Sequence, residues 1–410
     1  MKLPPHFKTM AIAALVLKII AGWGIGWLYL YYYGGNGDTW QYDWQAKVIN
    51  QLAKENPQKY WLFMRTIYEP IHLKDVYDRC HCEKPRAMLM TKIVSILYRI
   101  TNNNYWISSA LLSIIAFTGL LYALLQIIRL FPQHSTALTI GFLWIPSTVV
   151  WSSGLLKETI MMTCISGIVG ISFSWYQNIS QSLSKTIFKV LLLLVFSSLL
   201  IFLKYYYAAT LFPTLLAFFL ADYLYKTFQF QFYITFFIAW LCCAAIGTSF
   251  HPNLHFQNIL EATYKNHQNI IAETVNPNNL LFFYKFQPTI KSFLLNIPLG
   301  IMQGLSMPYI WKVQHWFQAL ASFENMLFLV LAIIHMINFK KTFKVSPKEK
   351  LAILAVVTFS LSTLAWLSLA VPNAGSLTRY KIGFLPFWGS LLLCGVIPKI
   401  SLLLQRYRPF

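Results

Sequence analysis

The sequence predicts an all-α protein, a polytopic helical bundle in a membrane with about ten transmembrane spans, on three observations. Apolar runs long enough to cross a bilayer recur from Thr9 to Leu404, each bounded by aromatic or basic residues. A hydrocarbon core of roughly 30 Å takes about 20 apolar residues of helix, and 57% of the 410 residues are hydrophobic against 11% charged. Only helices satisfy their own backbone hydrogen bonds in lipid, so crossings of this kind force helix against helix. Spans consume roughly half the length, leaving one membrane domain, residues 1–410, and no room for a separate soluble catalytic domain.

In chain order the predicted spans are 9–33, 105–128, 137–153, 159–176, 187–203, 207–225, 228–248, 322–339, 351–371 and 382–404. The first is longer than a signal-peptide core and lacks a small-x-small cleavage site, so it reads as an uncleaved span. Lys and Arg in short loops stay on the cytoplasmic side. With the N-terminus inside, those loops carry Lys2, Lys8, Arg129, Lys185, Lys189, Lys226, Lys340, Lys341, Lys344, Lys348, Lys350, Arg406 and Arg408, which makes both termini cytoplasmic.

Two long segments then fall outside. Residues 34–104 form a first periplasmic loop with amphipathic helices; within it, 86–101 place Met88, Ile93, Ile96, Leu97 and Ile100 at helical spacing around Lys92 and Arg99, the pattern of a helix lying at the interface. Residues 249–321 form a second large periplasmic segment. Its apolar stretch 293–311 is broken by Pro298, Gly300, Gly304 and Pro308, and a full crossing there would put the lysine-rich 340–350 loop outside, so it reads as re-entrant or interfacial.

The formal charge of +20 accompanies no RRM-like, helix-turn-helix or zinc-finger pattern, so the basic residues are assigned to topology and to anionic membrane lipids, not to nucleic acid. Cys242, Cys243 and Cys394 lie in apolar runs and read as small core residues. Cys80-His81-Cys82 offers zinc-ligand chemistry but too few ligands for a four-coordinate site, and His251, His255 and His267 lack metal-ligand spacing, so no metal and no cofactor is expected. His335 is read as an imidazole hydrogen-bonded within the bundle.

The polar residues gather on the outer side. After the first span comes Gly34-Gly35-Asn36-Gly37-Asp38-Thr39-Trp40-Gln41-Tyr42-Asp43. Glycines let backbone and substrate approach closely, and a carboxylate emerging at the membrane surface is placed to take a proton from a hydroxyl. The plainer role for Asp38 is an N-cap for the helix that follows. Lys157-Glu158, in the turn after Trp151-Ser152-Ser153-Gly154, reads either as a snorkelling lysine with a capping acid or as a cation for phosphate with Glu158 orienting it or binding a sugar hydroxyl. The last outer loop, Pro372-Asn373-Ala374-Gly375-Ser376-Leu377-Thr378-Arg379-Tyr380-Lys381, carries two cations on the side where basic anchors are not expected, which favours anion binding by Arg379 and Lys381. Lys204, before three tyrosines, is a further outer cation in what is otherwise an aromatic belt.

The Gly37-Asp38-x-x-x-Tyr42 element, the long outer loop and a bundle without a nucleotide-binding domain together resemble the GT-C class of integral-membrane glycosyltransferases. The stretches 151–158 and 372–381 also resemble uncharacterised bacterial membrane proteins of the Bacteroidetes type often grouped with that class. The resemblance implies a bacterial inner-membrane enzyme with a periplasmic site, which takes a sugar from a polyprenyl-phosphate donor and delivers it, with inversion, to a glycan, lipid or protein acceptor. It implies Asp38 as catalytic base, with Asp43 a weaker second candidate. Independently of the resemblance, Lys157, Lys204, Arg379 and Lys381 stand where a lipid-linked donor presents its phosphate and are read as its ligands, with Glu158, Tyr42, Asn373 and Tyr380 as substrate-orienting residues. The chain departs from the class in having no soluble C-terminal domain and no second acid directly beside Asp38. Two other readings stay open: a polysaccharide repeat-unit polymerase or ligase, which moves the weight from Asp38 to Arg379, and a lipid-linked sugar transporter or flippase, which usually carries charges at mid-membrane.

Overall fold

The computed structural model describes residues 3–66, 73–82, 85–177, 182–249, 255–342 and 346–397. Glu69, Glu83, His251, Lys344, Arg406, Arg408 and the end of the last predicted span lie outside the described residues. The described chain is helical, with no strand beyond one isolated bridge, Leu280 to Asn373. The helices are α1 Phe7–Trp27, α2 Asp38–Glu55, α3 Pro57–Arg65, α4 Lys74–Cys80, α5 Pro85–Thr101, α6 Tyr105–Leu130, α7 Ser135–Leu143, α8 Pro146–Trp151, α9 Lys157–Tyr176, α10 Leu183–Phe228, α11 Phe232–Ser249, α12 Phe256–Glu273, α13 Ile290–Ser306, α14 Trp316–Thr342, α15 Pro347–Ala370, α16 Ala374–Tyr380 and α17 Leu385–Cys394.

Seven of these elements are long and apolar enough to cross a membrane: α1 with its extension to Tyr32, α6, α9, α10, α11, α14 and α15. The predicted span 137–153 is instead two short helices, because Pro146 cannot continue α7 and starts α8 as its first residue. Glu324 accepts a hydrogen bond from the freed Ser147 backbone N–H at 2.8 Å, which ties this break to α14. The predicted spans 187–203 and 207–225 merge into the 46-residue α10, whose backbone leaves the helical region at Lys204 (φ −149°, ψ 65°). There α10 folds back on itself. Lys204 pairs with Glu158 at the start of α9, whereas Lys189 donates to Ser174 Oγ (2.7 Å) and Asp222 accepts from Tyr176 Oη (2.7 Å), both at the far end of α9.

The same contacts define two ends of the bundle. At one end α1 and α15 finish, α6 and α9 begin, and Lys204 turns α10. At the other, Gln133 and His134 meet Glu349 at the start of α15. Close approach in the middle depends on small residues: a Cβ on Gly22 of α1 would sit 2.6 Å from Ser113 Oγ and 2.9 Å from the Gly154 nitrogen, and Gly154 itself has φ +72°. One turn deeper, buried Lys18 donates to Ser152 Oγ at 2.5 Å, a mid-span cation that the sequence reading passed over.

Helices α2 to α5 pack as a cap on the first end. α2 lies on α5, and Ile49, Tyr60, Phe63, Leu73, Val76 and Cys80 form its separate core. On α5 Met88, Met90, Val94 and Tyr98 are buried against the cap and the bundle, while Ile96 and Ile100, from the stripe expected at the membrane interface, stay exposed. Cys80 and Cys82 are joined by a disulfide around His81, which removes both as thiolate ligands. Among the described residues no group of three or more His, Cys, Asp or Glu is placed to hold a metal ion.

Candidate functional site

The site is built where four chain breaks meet at that first end. The last turn of α1 widens into a π-helical turn, Leu28–Tyr32, and glycines with positive φ at 34, 35 and 37 then swing the chain back over it. Only glycine fits at 37, since φ is +137° and a Cβ would lie 2.3 Å from the Tyr29 ring. Asp38 is thereby delivered as the first residue of α2. Gly37 occupies the N-cap position without a side-chain bond, so Asp38 does not cap its helix as the plainer reading had it. Its carboxylate turns to Arg379, whose Nη2 donates to Asp38 Oδ2 at 2.8 Å.

The same Arg379 Nη2 donates to Glu158 Oε2 at 2.6 Å. Glu158 stands in the first turn of α9, where the N-terminal helix dipole favours an anion, and its side chain is 1% exposed. Its other oxygen is 3.2 Å from Lys204 Nζ, which the break in α10 aims inward over the Tyr380 ring, 3.7 Å from its centroid. Lys157 lies 5.4 Å from the centroid of Tyr42 and makes no ion pair with a described residue. Two carboxylates thus face three cations, leaving the cluster with one positive charge in surplus. Burial opposes the charge on Arg379, but Glu158 and Asp38 outweigh it and hold the guanidinium firmly protonated.

Buried polar atoms around this cluster with no hydrogen-bond partner among the described residues include the Tyr42 and Tyr206 hydroxyls, Arg379 Nε and Glu158 Oε1, the last facing Lys204 as an ion pair. Others, such as those of Tyr122, Trp144, Ser166 and Ser390, lie elsewhere in the bundle, so it is the formal charge around them that sets the orphans of this cluster apart. Burial also raises the Tyr42 hydroxyl well above the usual phenol range, with Asp38 and Glu158 adding to the effect, so it stays a neutral hydroxyl.

Of the residues named from sequence, the structure brings together Asp38, Tyr42, Lys157, Glu158, Lys204, Arg379 and Tyr380. Three others are placed elsewhere. Asp43 is buried between α2 and α5, accepting from Tyr98 Oη at 2.5 Å and pairing with Lys47 at 2.9 Å, so it anchors the cap and stands apart from the cluster around Arg379. Asn373 caps α16, accepting from the Ser376 N–H at 3.1 Å and donating to Thr274 Oγ1 at 3.0 Å, so its side-chain amide is engaged at the start of the helix that carries Arg379. Lys381 points away, donating to the Gly304 carbonyl and Asn325 Oδ1, both at 2.9 Å, and so supplies no phosphate ligand here.

Two residues at the rim were missed. Tyr29 lies under Gly37 and within the field of Arg379, Asp38 and Glu158. Arg86, exposed on α5, sits 5.1 Å from the centroid of Tyr205, beside the Lys204 turn. The only sequence signal for Arg86 is a cation at the start of an interfacial helix. No protein family, curated protein or solved structure matches this chain.

Proposed function

We propose that this chain is a membrane glycosyltransferase that moves a sugar from a polyprenyl-phosphate donor to a hydroxyl of a cell-envelope glycan, lipid or protein. The observation that carries this reading is the convergence of Asp38 with Lys157, Lys204 and Arg379, cations from three distant turns, at one end of an apolar bundle. A lipid-linked donor presents its phosphate at the headgroup plane, where these cations stabilise the charge that develops as it leaves. Asp38 takes the proton from the acceptor hydroxyl, the acceptor oxygen bonds to the anomeric carbon, and the carbon–oxygen bond to phosphate breaks with its electron pair going to the phosphate oxygen. Phosphate needs no general acid as a leaving group, so one base and a cationic clamp suffice for inversion.

In this reading α7 with α8, each half of α10, and α17 also cross the membrane, about ten spans in all. Arg129, Lys189, Lys226 and Lys348 lie at the end remote from Arg379, which supports a cytoplasmic assignment for that end and for both termini. The Cys80–Cys82 disulfide supports an oxidising, periplasmic setting for the other. The rival polymerase or ligase reading draws on Arg379 being the hub that holds both carboxylates. Purified Asp38→Asn in liposomes with a labelled lipid-linked sugar separates the two: loss of transfer by about a hundredfold or more supports a catalytic base, and polymer formed at the wild-type rate supports the rival.

A further inference from the structure

Asp38 and Glu158 share one nitrogen of Arg379, but they are held very differently. Glu158 is 1% exposed and has Lys204 as a second cation, whereas Asp38 is 36% exposed and has this one ion pair among the described residues. Moving Glu158 would strand a buried charge, which is costly; moving Asp38 releases it toward water, which is not. One of the two Asp38 carboxylate oxygens, Oδ2, is meanwhile engaged with the guanidinium, which holds the side chain in place.

Resting on the glycosyltransferase reading, we infer that the donor phosphate binds by displacing Asp38 from Arg379, so that arrival of the donor frees the carboxylate that acts on the acceptor. The exchange replaces one anion by another, so the charge balance around Arg379, Lys157 and Lys204 is preserved. Arg379 gains by it: a phosphate presents several oxygens to the guanidinium fork, including its unpartnered Nε, where Asp38 engages Nη2 alone. Lys157, which pairs with no carboxylate among the described residues, completes the clamp from the α9 side. Donor therefore binds first and acceptor second, and the Asp38 carboxylate is released to move onto the acceptor only once the donor is in place.

Farnesyl phosphate in detergent, with farnesol as the uncharged control, tests the displacement by calorimetry. Asp38→Asn weakens the competitor and is expected to tighten farnesyl phosphate binding about tenfold, with farnesol unaffected. That gain is expected to vanish in Arg379→Gln. A gain of the same size there shows simple repulsion between anions and overturns the displacement, as does binding by Asp38→Asn no tighter than wild type. Carbodiimide labelling of Asp38 in the wild-type protein, read by mass spectrometry, covers the case in which Arg379→Gln does not fold. Labelling that rises with farnesyl phosphate supports release of the carboxylate, and labelling that stays level or falls contradicts it. If wild type fails to distinguish farnesyl phosphate from farnesol, the functional reading fails and the displacement with it.

Discussion

Arg379 and Lys381 stand two residues apart, yet they belong to two regions that handle buried charge in opposite ways. Two positions along a helical turn differ by about 200°, so neighbours in one motif face opposite directions. Arg379 meets formal charges, Asp38 and Glu158, in a cluster that also holds Lys204 and buried polar atoms with no hydrogen-bond partner among the described residues. Lys381 meets neutral groups, the Gly304 carbonyl and Asn325, and fastens the α16–α17 connection to α13 and α14. The first region has charge and hydrogen-bonding capacity left over for a ligand; the second is complete in itself and structural. Net charge in a motif therefore says little about binding until the direction of each side chain is known.

The largest expected effect separates the two regions by stability. Arg379→Gln leaves Glu158 buried with only Lys204, and breaking a buried ion pair costs about 3–5 kcal/mol. Lys381→Met loses hydrogen bonds to two neutral acceptors, about 1–3 kcal/mol. Unfolding temperatures in detergent that fall equally in both variants would break the contrast.

Activity is expected to divide the acids in the reverse sense from stability. Asp38→Asn loses transfer while its unfolding midpoint stays within about 1 kcal/mol of wild type, as suits a partly exposed pair. Asp43→Asn keeps transfer but loses about 1–3 kcal/mol through its bonds to Tyr98 and Lys47. Transfer lost equally in both would return Asp43 to the site. Lys157→Met is expected to weaken farnesyl phosphate binding about tenfold with no change in unfolding temperature, and unaltered affinity would remove Lys157 from the clamp.

The smallest effect is in pH. Burial holds the Lys381 amine down at about 8, against some upward pull from Glu324. Between that value and the ordinary 10.5 the unfolded chain binds a proton that the folded chain does not, so this residue's contribution to stability rises with pH across the window. Wild type is thus expected to gain in unfolding temperature relative to Lys381→Met from pH 8 to pH 10; a constant difference contradicts the burial of Lys381.

The sequence made the apolar helices and the polar residues at their ends legible, because both depend on composition along the chain. Asp38, Lys157-Glu158, Lys204 and Arg379 stood out for that reason. What it left unread depends on direction and register. Asp43 and Asn373 carry the right chemistry in the right loops but point into the cap of the bundle and the start of α16. Lys18 was hidden because one lysine barely alters the hydropathy of a span, and nothing local announces Ser152, its partner 134 positions away. Pro146 was visible in the sequence, but its consequence, two short helices in place of a span, needed Glu324 from α14 to be seen.

An electron cryomicroscopy map of the protein with a non-cleavable isoprenyl phosphonate tests the central claim most directly. Phosphonate density contacting Arg379 and Lys157, with the lipid chain leaving toward the bundle surface, is the predicted result. Well-defined phosphonate density anywhere away from the cluster of Asp38, Glu158 and Arg379 would contradict it.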